Sequence, residues 1–474
     1  MRVVAIVLAL AAAGAISFRS TYEADLFWHL AQGREAAAGH IVRTNLFSYT
    51  APDYPQPYTG WLFDLGLYWC WQIGGAALVQ AVQAALIAAA MVLVALACRF
   101  RSSATAGVVL AVFVWLVIEP RSIPRPHVFS FAGLAACAWL IERSIAARRA
   151  DRLWWAVPLI ALWSNIHVES VFGVALLGLF SSLEWLRPSS LTRAEALRAV
   201  GIVTVSALAM LLNPYGIGIL AYLYENTAVP ALLNIAELQA PYLPNYRGFF
   251  AYAALAGVLM AIRWRSLALW EIVAAIVFGY LGFLYLRFTP MAVIATAAIA
   301  ARGLDVLLEK GLDRRASIVT AVAAAIFLSR IPIASLPSSI HAGGDALTPP
   351  GFFSEAAMRF AREHQLGGNV YVSNNIGGFV TWSLYPGTRV FQDSRLQAYP
   401  QDHFRRMLSA WGSDQAWADM VTDADWAILS RPRVNELSGT GRFKEPDWAI
   451  AFRDEAIDIA VRRTGAYGHL AAAP

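Results

Sequence analysis

Apolar runs long enough to cross a hydrocarbon core of about 30 Å, roughly 20 helical residues each, recur from Met1 to about Ile333 and then cease. About eleven spans are expected, at 2–18, 74–98, 105–119, 128–141, 153–166, 170–186, 199–213, 248–262, 267–286, 289–308 and 317–333. The first, "MRVVAIVLALAAAGAIS", has one early Arg and small residues that would suit a cleavage site; a retained helix is the expected outcome. Alternate loops carry Arg and Lys, among them Arg99 and Arg101, Arg148 and Arg149, Arg263 and Arg265, and Arg314 and Arg315. The positive-inside bias puts those loops and the N-terminus in the cytoplasm, and the segments 19–73, 120–127, 166–170 and 214–247, the turn near Arg287 and the tail on the outer side.

Two parts follow from this pattern. Residues 1–335 form a polytopic domain, within which 19–73 is a first outer loop with interfacial helices, and residues 336–474 form a small exported α/β domain. In the first loop a helix is expected from Asp25 to about Ala38, then a Pro-rich turn and the aromatic run "WLFDLGLYWCW". In the tail, "GFFSEAAMRFAREHQ" has helical spacing, whereas "NVYVS", "GFVTWSL", "TRVFQDS", "DADWAILS" and "IDIAVRR" have the composition of short strands.

Composition agrees: 58% of the 474 residues are hydrophobic and 15% charged, where a soluble domain has about 45–50% and about 25%. The formal charge of +5 resides in short inter-span loops rather than one patch, so topology rather than nucleic acid explains it. Cys70, Cys98 and Cys137 lie in or beside apolar runs without metal-type spacing, which argues against a disulfide framework or a zinc site.

The residues with chemical potential sit on the outer side. Behind the first span, "TYEADLFWHLAQGR" holds Glu23 and Asp25, with His29 and Gln32 one and two helical turns beyond Asp25 on the same face. Such a group suits a general base or a divalent cation such as Mg or Mn, with Glu23, Asp25 and His167 as the ligand candidates; the plainer alternative is an Asp25 N-cap beside a solvated Glu23. "EPRSIPRPH" places Arg121, Arg125 and His127 in an outer loop against the positive-inside bias, and a guanidinium fork matches phosphate oxygens; pairing with Glu119 or headgroups is the alternative. "WSNIHVES" crowds His167 and Glu169 into a tight turn, and Arg287 stands at an outer helix end, from which it either snorkels or meets a phosphate. Carboxylates on one side and arginines on the other match transfer of a group from a lipid phosphate to a nucleophile.

In layout, and in the patches "EADLFWHLAQGR", "WSNIHVESVFG", "NPYG" and "NNIGGFVTWSLYPGTRVFQDSR", the chain resembles the GT-C superfamily of membrane glycosyltransferases, which includes protein O-mannosyltransferases and aminoarabinose transferases. The resemblance implies a polyprenyl-phosphate or polyprenyl-diphosphate sugar donor, a lipid, glycan or protein acceptor, and a bacterial inner membrane location with the site at the periplasmic face. It further implies Asp25 as catalytic carboxylate with Glu23 its acidic neighbour. Arg121, Arg125 and Arg287 then hold the donor phosphate, and His29, His127, His167 and Glu169 line the pocket. The acids here are separated as Glu-Ala-Asp, and the tail lacks a "WWDYG"-type peptide-recognition motif, which speaks against an oligosaccharyltransferase. A flippase of lipid-linked sugars is the alternative from another class; it calls for polar or broken helices near the midplane in repeated halves, which the sequence does not display. A non-catalytic scaffold for polysaccharide assembly is a third reading, one that a replaceable Asp25 would favour.

Overall fold

The computed structural model describes residues 23–56, 58–219, 222, 235–309, 353–410, 412–431, 443 and 447–472. The expected spans 2–18 and 317–333 lie outside them, and each of the other nine coincides with a helical segment. In chain order the helices are α1 (Leu26–Ala37), α2 (Trp61–Arg99), α3 (Ala104–Ile118), α4 (His127–Ala147), α5 (Ala156–Ile166), α6 (Ser170–Leu186), α7 (Arg193–Ala209), α8 (Arg247–Ile262), α9 (Leu269–Leu284) and α10 (Thr289–Glu309). The stretches Trp61–Arg99, Ala104–Arg121, His127–Ala147 and Leu286–Val306 are long and apolar enough to cross a membrane, and α6, α8 and α9 are shorter apolar helices.

The chain divides into two compact units. One comprises residues 1–19, 80–219 and 234–339, and its described residues form helices. Its α10 packs against α3, α4, α8 and α9. From Met291 to Ala301 nearly every side chain of α10 is buried, as expected of a helix that is apolar all round. Arg101, just beyond α2, is buried and ion-paired with Glu142 of α4 and Glu271 of α9.

The other unit comprises residues 20–79, 220–233 and 340–474. The sequence leads to an expected division near residue 335; by compactness, residues 20–79 group with residues 340–474. The tail adds α11 (Glu355–Glu363), α12 (Asn374–Leu384), α13 (Gln401–Ala410) and α14 (Asp414–Met420), with strands β1 (Gly368–Val372), β2 (Thr388–Val390), β3 (Trp426–Ser430), β4 (Trp448–Arg453) and β5 (Ile457–Arg462). The sheet order is β2-β1-β3-β5-β4. β1 is parallel to both its neighbours, and β5 is antiparallel to both β3 and β4. The outer edge of β2 is taken up by the first loop: Val390 N–H donates to Phe47 O at 2.9 Å, and Tyr49 N–H donates to Val390 O at 3.2 Å. Leu26, Phe27 and Leu30 of α1 lie in one core with Val370, Val372, Phe379, Trp426 and Ile459, so α1 is a buried structural helix of this unit.

"GFVTWSL" corrects the strand expectation, because it forms most of α12. Its β-branched and aromatic residues favour a strand locally, but tertiary packing decides. A Cβ on Gly377 would stand 2.0 Å from Gln392 O and 2.8 Å from Asp393 Cα, so the helix approaches that backbone as only glycine allows. In α2, Gly75 has φ +58° and breaks the helix into two segments.

Candidate functional site

In the helical unit, the arginine-bearing loops come together. α3 ends in a 3-10 turn, Glu119–Arg121, with Pro120 at its start, where a missing N–H costs nothing. His127 Nε2–H donates to Arg121 O at 2.7 Å and closes the loop over residues 121–127. Arg121 is thereby buried to 9% exposure, and its guanidinium Nη2–H reaches Glu237 Oε2 at 3.2 Å. Arg125 Nη1–H reaches the other oxygen of the same carboxylate at 3.4 Å. Burial opposes the charge of Glu237, but Arg121 first, then Arg125 and Arg287, outweigh it and hold its carboxyl well below the usual range.

The turn between α5 and α6 supplies the second half of this cluster. His167 leaves α5 in an extended conformation while its N–H still donates to Trp163 O at 2.7 Å. Its Nδ1 lies 2.8 Å from Ser130 Oγ, which also accepts from Trp163 Nε1–H at 3.0 Å. Glu169 stands 3.2 Å from His167 Nδ1 and 3.8 Å from Arg287 Nη2. Burial would raise the Glu169 carboxyl, yet His167 and then Arg287 hold it at about 2, so it is an anion at neutral pH. Arg287 sits in the 3-10 turn Leu286–Phe288, and its Nε is buried without a hydrogen-bond partner among the described residues. Among the described residues, three guanidinium groups thus face two carboxylates at these helix ends. A cleft of about 470 Å³ lined by Trp115, Leu116, Glu119, Tyr246 and Phe249 runs beside Arg121 in sequence, and Tyr246 feels the charges of Arg121 and Glu237.

The acidic residues of the first loop lie in the sheet unit. Asp25 precedes α1, but its side chain makes no capping bond. Instead Asp25 Oδ1 accepts from Ser394 Oγ–H, and Asp25 N–H donates to Glu23 Oε1 at 3.0 Å. Glu23 is only 2% exposed rather than solvated. His29 is also buried; its Nδ1–H donates to Asp64 Oδ1 at 2.6 Å while its ring stacks on Trp28. With its amide oriented to satisfy its neighbours, Gln32 donates to Asp64 Oδ2 at 3.1 Å and accepts from Gln56 Nε2–H at 2.8 Å. The network runs on to Arg395, which is fully buried. Arg395 grips Asp393 with Nε–H at 2.9 Å and Nη2–H at 2.6 Å, and donates to Gln56 Oε1 at 2.9 Å and Asn45 Oδ1 at 3.0 Å.

Arg121, Arg125, His127, His167, Glu169 and Arg287, read from three separate outer segments, therefore belong to one cluster, while Glu23, Asp25 and His29 belong to the other unit. Sequence reasoning missed Glu237, Asp64, Ser394 and Arg395. The last two stand in "FQDSR", a patch that carries the family resemblance, and this was the one signal available for them. Of the metal candidates, Glu23 and Asp25 are in the sheet unit and His167 in the helical unit; among the described residues no group of three His, Cys, Asp or Glu could hold an ion.

No protein-family model and no curated protein matches the sequence. Solved structures do match. The oligosaccharyltransferase of Archaeoglobus fulgidus tethered to an acceptor peptide with the NVT sequon aligns with a TM-score of 0.58 over 90% of this chain and 69% of its own, at 11% identity. AglB of the same organism, in complex with an inhibitory peptide and a dolichol-phosphate, aligns with a TM-score of 0.59 over 90% and 69% at 12% identity. The complex of that archaeal oligosaccharyltransferase with Zn and sulfate gives 0.54 over 90% and 68% at 13% identity. At such identities the likeness is one of fold: this chain shares the fold of the archaeal oligosaccharyltransferase.

Proposed function

We propose that this protein is a membrane glycosyltransferase that moves a sugar from a polyprenyl-phosphate or polyprenyl-diphosphate donor to an acceptor at the periplasmic face of a bacterial inner membrane, with about eleven spans. The observation that carries the reading is the convergence of Arg121, Arg125 and Arg287 with His167 and Glu169 at the outer helix ends of a GT-C fold. An arginine at an outer loop runs against the charge bias of membrane topology, and three at one place ask for a multivalent anion. The buried, unpartnered Nε of Arg287 adds a donor that a phosphoryl oxygen would satisfy. The archaeal neighbour solved with a dolichol-phosphate supports a lipid phosphate as that anion.

In this mechanism the acceptor's hydroxyl oxygen attacks the anomeric carbon as the bond from that carbon to the phosphate oxygen breaks. The hydroxyl proton passes to the Asp25 carboxylate, and the electron pair of the broken bond leaves with the lipid phosphate. Arg121, Arg125 and Arg287 stabilise the charge gained by that leaving group. Ser394 Oγ–H, donating to Asp25, orients the carboxylate, and Glu23 fixes the backbone on which it stands. His127 shapes the arginine loop through its bond to Arg121 O, and Glu169, held beside His167, faces Arg287.

Asp25→Asn tests the reading, because the amide oxygen still accepts from Ser394 while the base is lost. Membranes carrying the chain, supplied with polyprenyl-phosphate-linked hexoses or pentoses, should release polyprenyl phosphate, and the variant should fold normally yet lose that release by at least about a hundredfold. Release at the parental rate from Asp25→Asn overturns Asp25 as the base.

A further inference from the structure

The arginine cradle already contains an anion. Glu237 sits in the 3-10 turn Ala236–Leu238, and the turn is tied down when Leu286 N–H donates to Gln239 O at 2.7 Å. Its two carboxylate oxygens are shared out, one to Arg121 at 3.2 Å and one to Arg125 at 3.4 Å. Two oxygens spread across two guanidinium groups is the arrangement a phosphoryl group would adopt there. Both bonds exceed the roughly 2.7–2.9 Å of a tight charge-assisted contact. The Glu237 side chain is 33% exposed and that of Arg125 25%, so water reaches the pair and the pair can open.

We infer that Glu237 is a competing internal anion that sets the affinity of the cradle for the phosphoryl group of a lipid donor: it fills the Arg121 and Arg125 forks when the donor is absent and leaves them when the phosphate enters. The inference rests on the phosphate-binding role proposed for these arginines and adds a specificity element to it. Without Glu237, the cradle would bind any passing phosphate or anionic headgroup. With it, a ligand gains only the difference between its own contacts and those of the carboxylate, and that difference favours a group with more oxygens and more charge plus a lipid tail to pay for entry.

The test uses the full chain in detergent, titrated with a short-chain polyprenyl phosphate, the matching polyprenol and inorganic phosphate. Glu237→Gln removes the competing charge with little change in shape and should bind polyprenyl phosphate about tenfold more tightly, with polyprenol affinity unchanged. Glu237→Asp, too short to span both forks, should give a smaller gain in the same direction and covers the case in which the Gln variant fails to fold. Equal or weaker lipid-phosphate binding in the folded variants overturns the inference. A gain for inorganic phosphate alone also overturns it, because the cradle would then receive a free anion. Failure of the underlying reading looks different: the parent binds polyprenol and polyprenyl phosphate alike and Arg125→Ala changes neither. A parent that prefers the phosphate and loses the preference in Arg125→Ala, with Glu237→Gln unchanged, removes only the role of Glu237.

Discussion

Arg395 in the sheet unit and the trio Arg121, Arg125 and Arg287 in the helical unit show two ways of handling guanidinium groups. Arg395 is fully buried, is gripped by Asp393 through bonds of 2.6 to 3.1 Å, and has Gln56, Asn45 and the face of Phe47 around its remaining edges. Asp393 and burial act on it in opposite directions, and Asp393 prevails, since its guanidinium is held even more firmly charged than usual. In the trio Arg121 and Arg125 meet Glu237 at 3.2 and 3.4 Å, Arg287 meets Glu169 at 3.8 Å, and the Arg125 and Arg287 side chains keep 25% and 21% exposure. A saturated arginine is part of the architecture; arginines with long contacts and access to water are the ones proposed here as a binding surface. Arg101, buried between Glu142 and Glu271, falls on the architectural side.

The largest effect expected from this contrast is at Arg395. Arg395→Ala leaves Asp393, Gln56 and Asn45 buried without their donor, and should cost about 3–5 kcal/mol, enough to melt or misfold the sheet unit. Arg395→Lys should not rescue it, because an ammonium cannot make the paired grip on Asp393 while also reaching Gln56 and Asn45. Thermal melting in detergent and protease resistance of the 353–472 region measure this. A variant at Arg395 that melts like the parent would erase the distinction drawn between the two arginine environments.

That distinction was only half visible in the sequence. The helices were legible because apolar runs of span length have few alternative fates, and Arg121, Arg125 and Arg287 were legible because an arginine in a loop expected to face outward defies a strong charge bias. Arg395 gave no such sign: an Arg in "QDSRLQ" reads as a solvated turn, and only the fold brings Asn45 and Gln56 to it from some 340 positions away. Asp64 was concealed in the aromatic run "WLFDLGLYW", where its partner His29 lies 35 residues back. Glu237, in "NIAELQAP", belongs to a polar stretch with no periodicity to exploit. The first-loop helix was found, but its role was not. Spacing put Asp25, His29 and Gln32 on one face, whereas the structure gives Asp25 to Ser394, His29 to Asp64 and Gln32 to the Arg395 network.

Acid should separate the two environments as well. His403 of α13 is buried against Tyr399 and Phe391, and its Nε2–H donates to Gln392 Oε1 at 3.1 Å, next to Asp393. Burial, and to a lesser degree Arg406, lowers its pKa from 6.5 to about 4. The unfolded chain therefore takes up a proton below pH about 6.5 that the folded chain refuses until about 4, so its contribution to stability is full above 6.5 and is lost as pH falls through that window. The loss amounts to about 3 kcal/mol at most. His403→Gln should flatten the decline in melting temperature between pH 7 and 4.5. Over the same range Glu169, with its carboxyl at about 2, stays ionised and the arginine cluster keeps its charges. An unchanged pH slope in His403→Gln would remove this residue as the acid-sensitive point of the sheet unit.

The smallest effect on stability is expected where the effect on function is large. Arg125 makes a 3.4 Å bond to a carboxylate that is itself one-third exposed, a geometry for which about 0–1 kcal/mol is typical. Arg125→Ala should therefore melt within a degree or two of the parent, in contrast to Arg395→Ala. Its use of the lipid-phosphate donor should fall by about tenfold or more in kcat/KM, with the dependence on acceptor concentration little changed, because the missing fork acts on the leaving phosphate. Measuring both quantities on one preparation distinguishes two ways of being wrong. A large loss of stability would make Arg125 another architectural arginine like Arg395, and an intact donor dependence would leave the cradle to Arg121 and Arg287 alone.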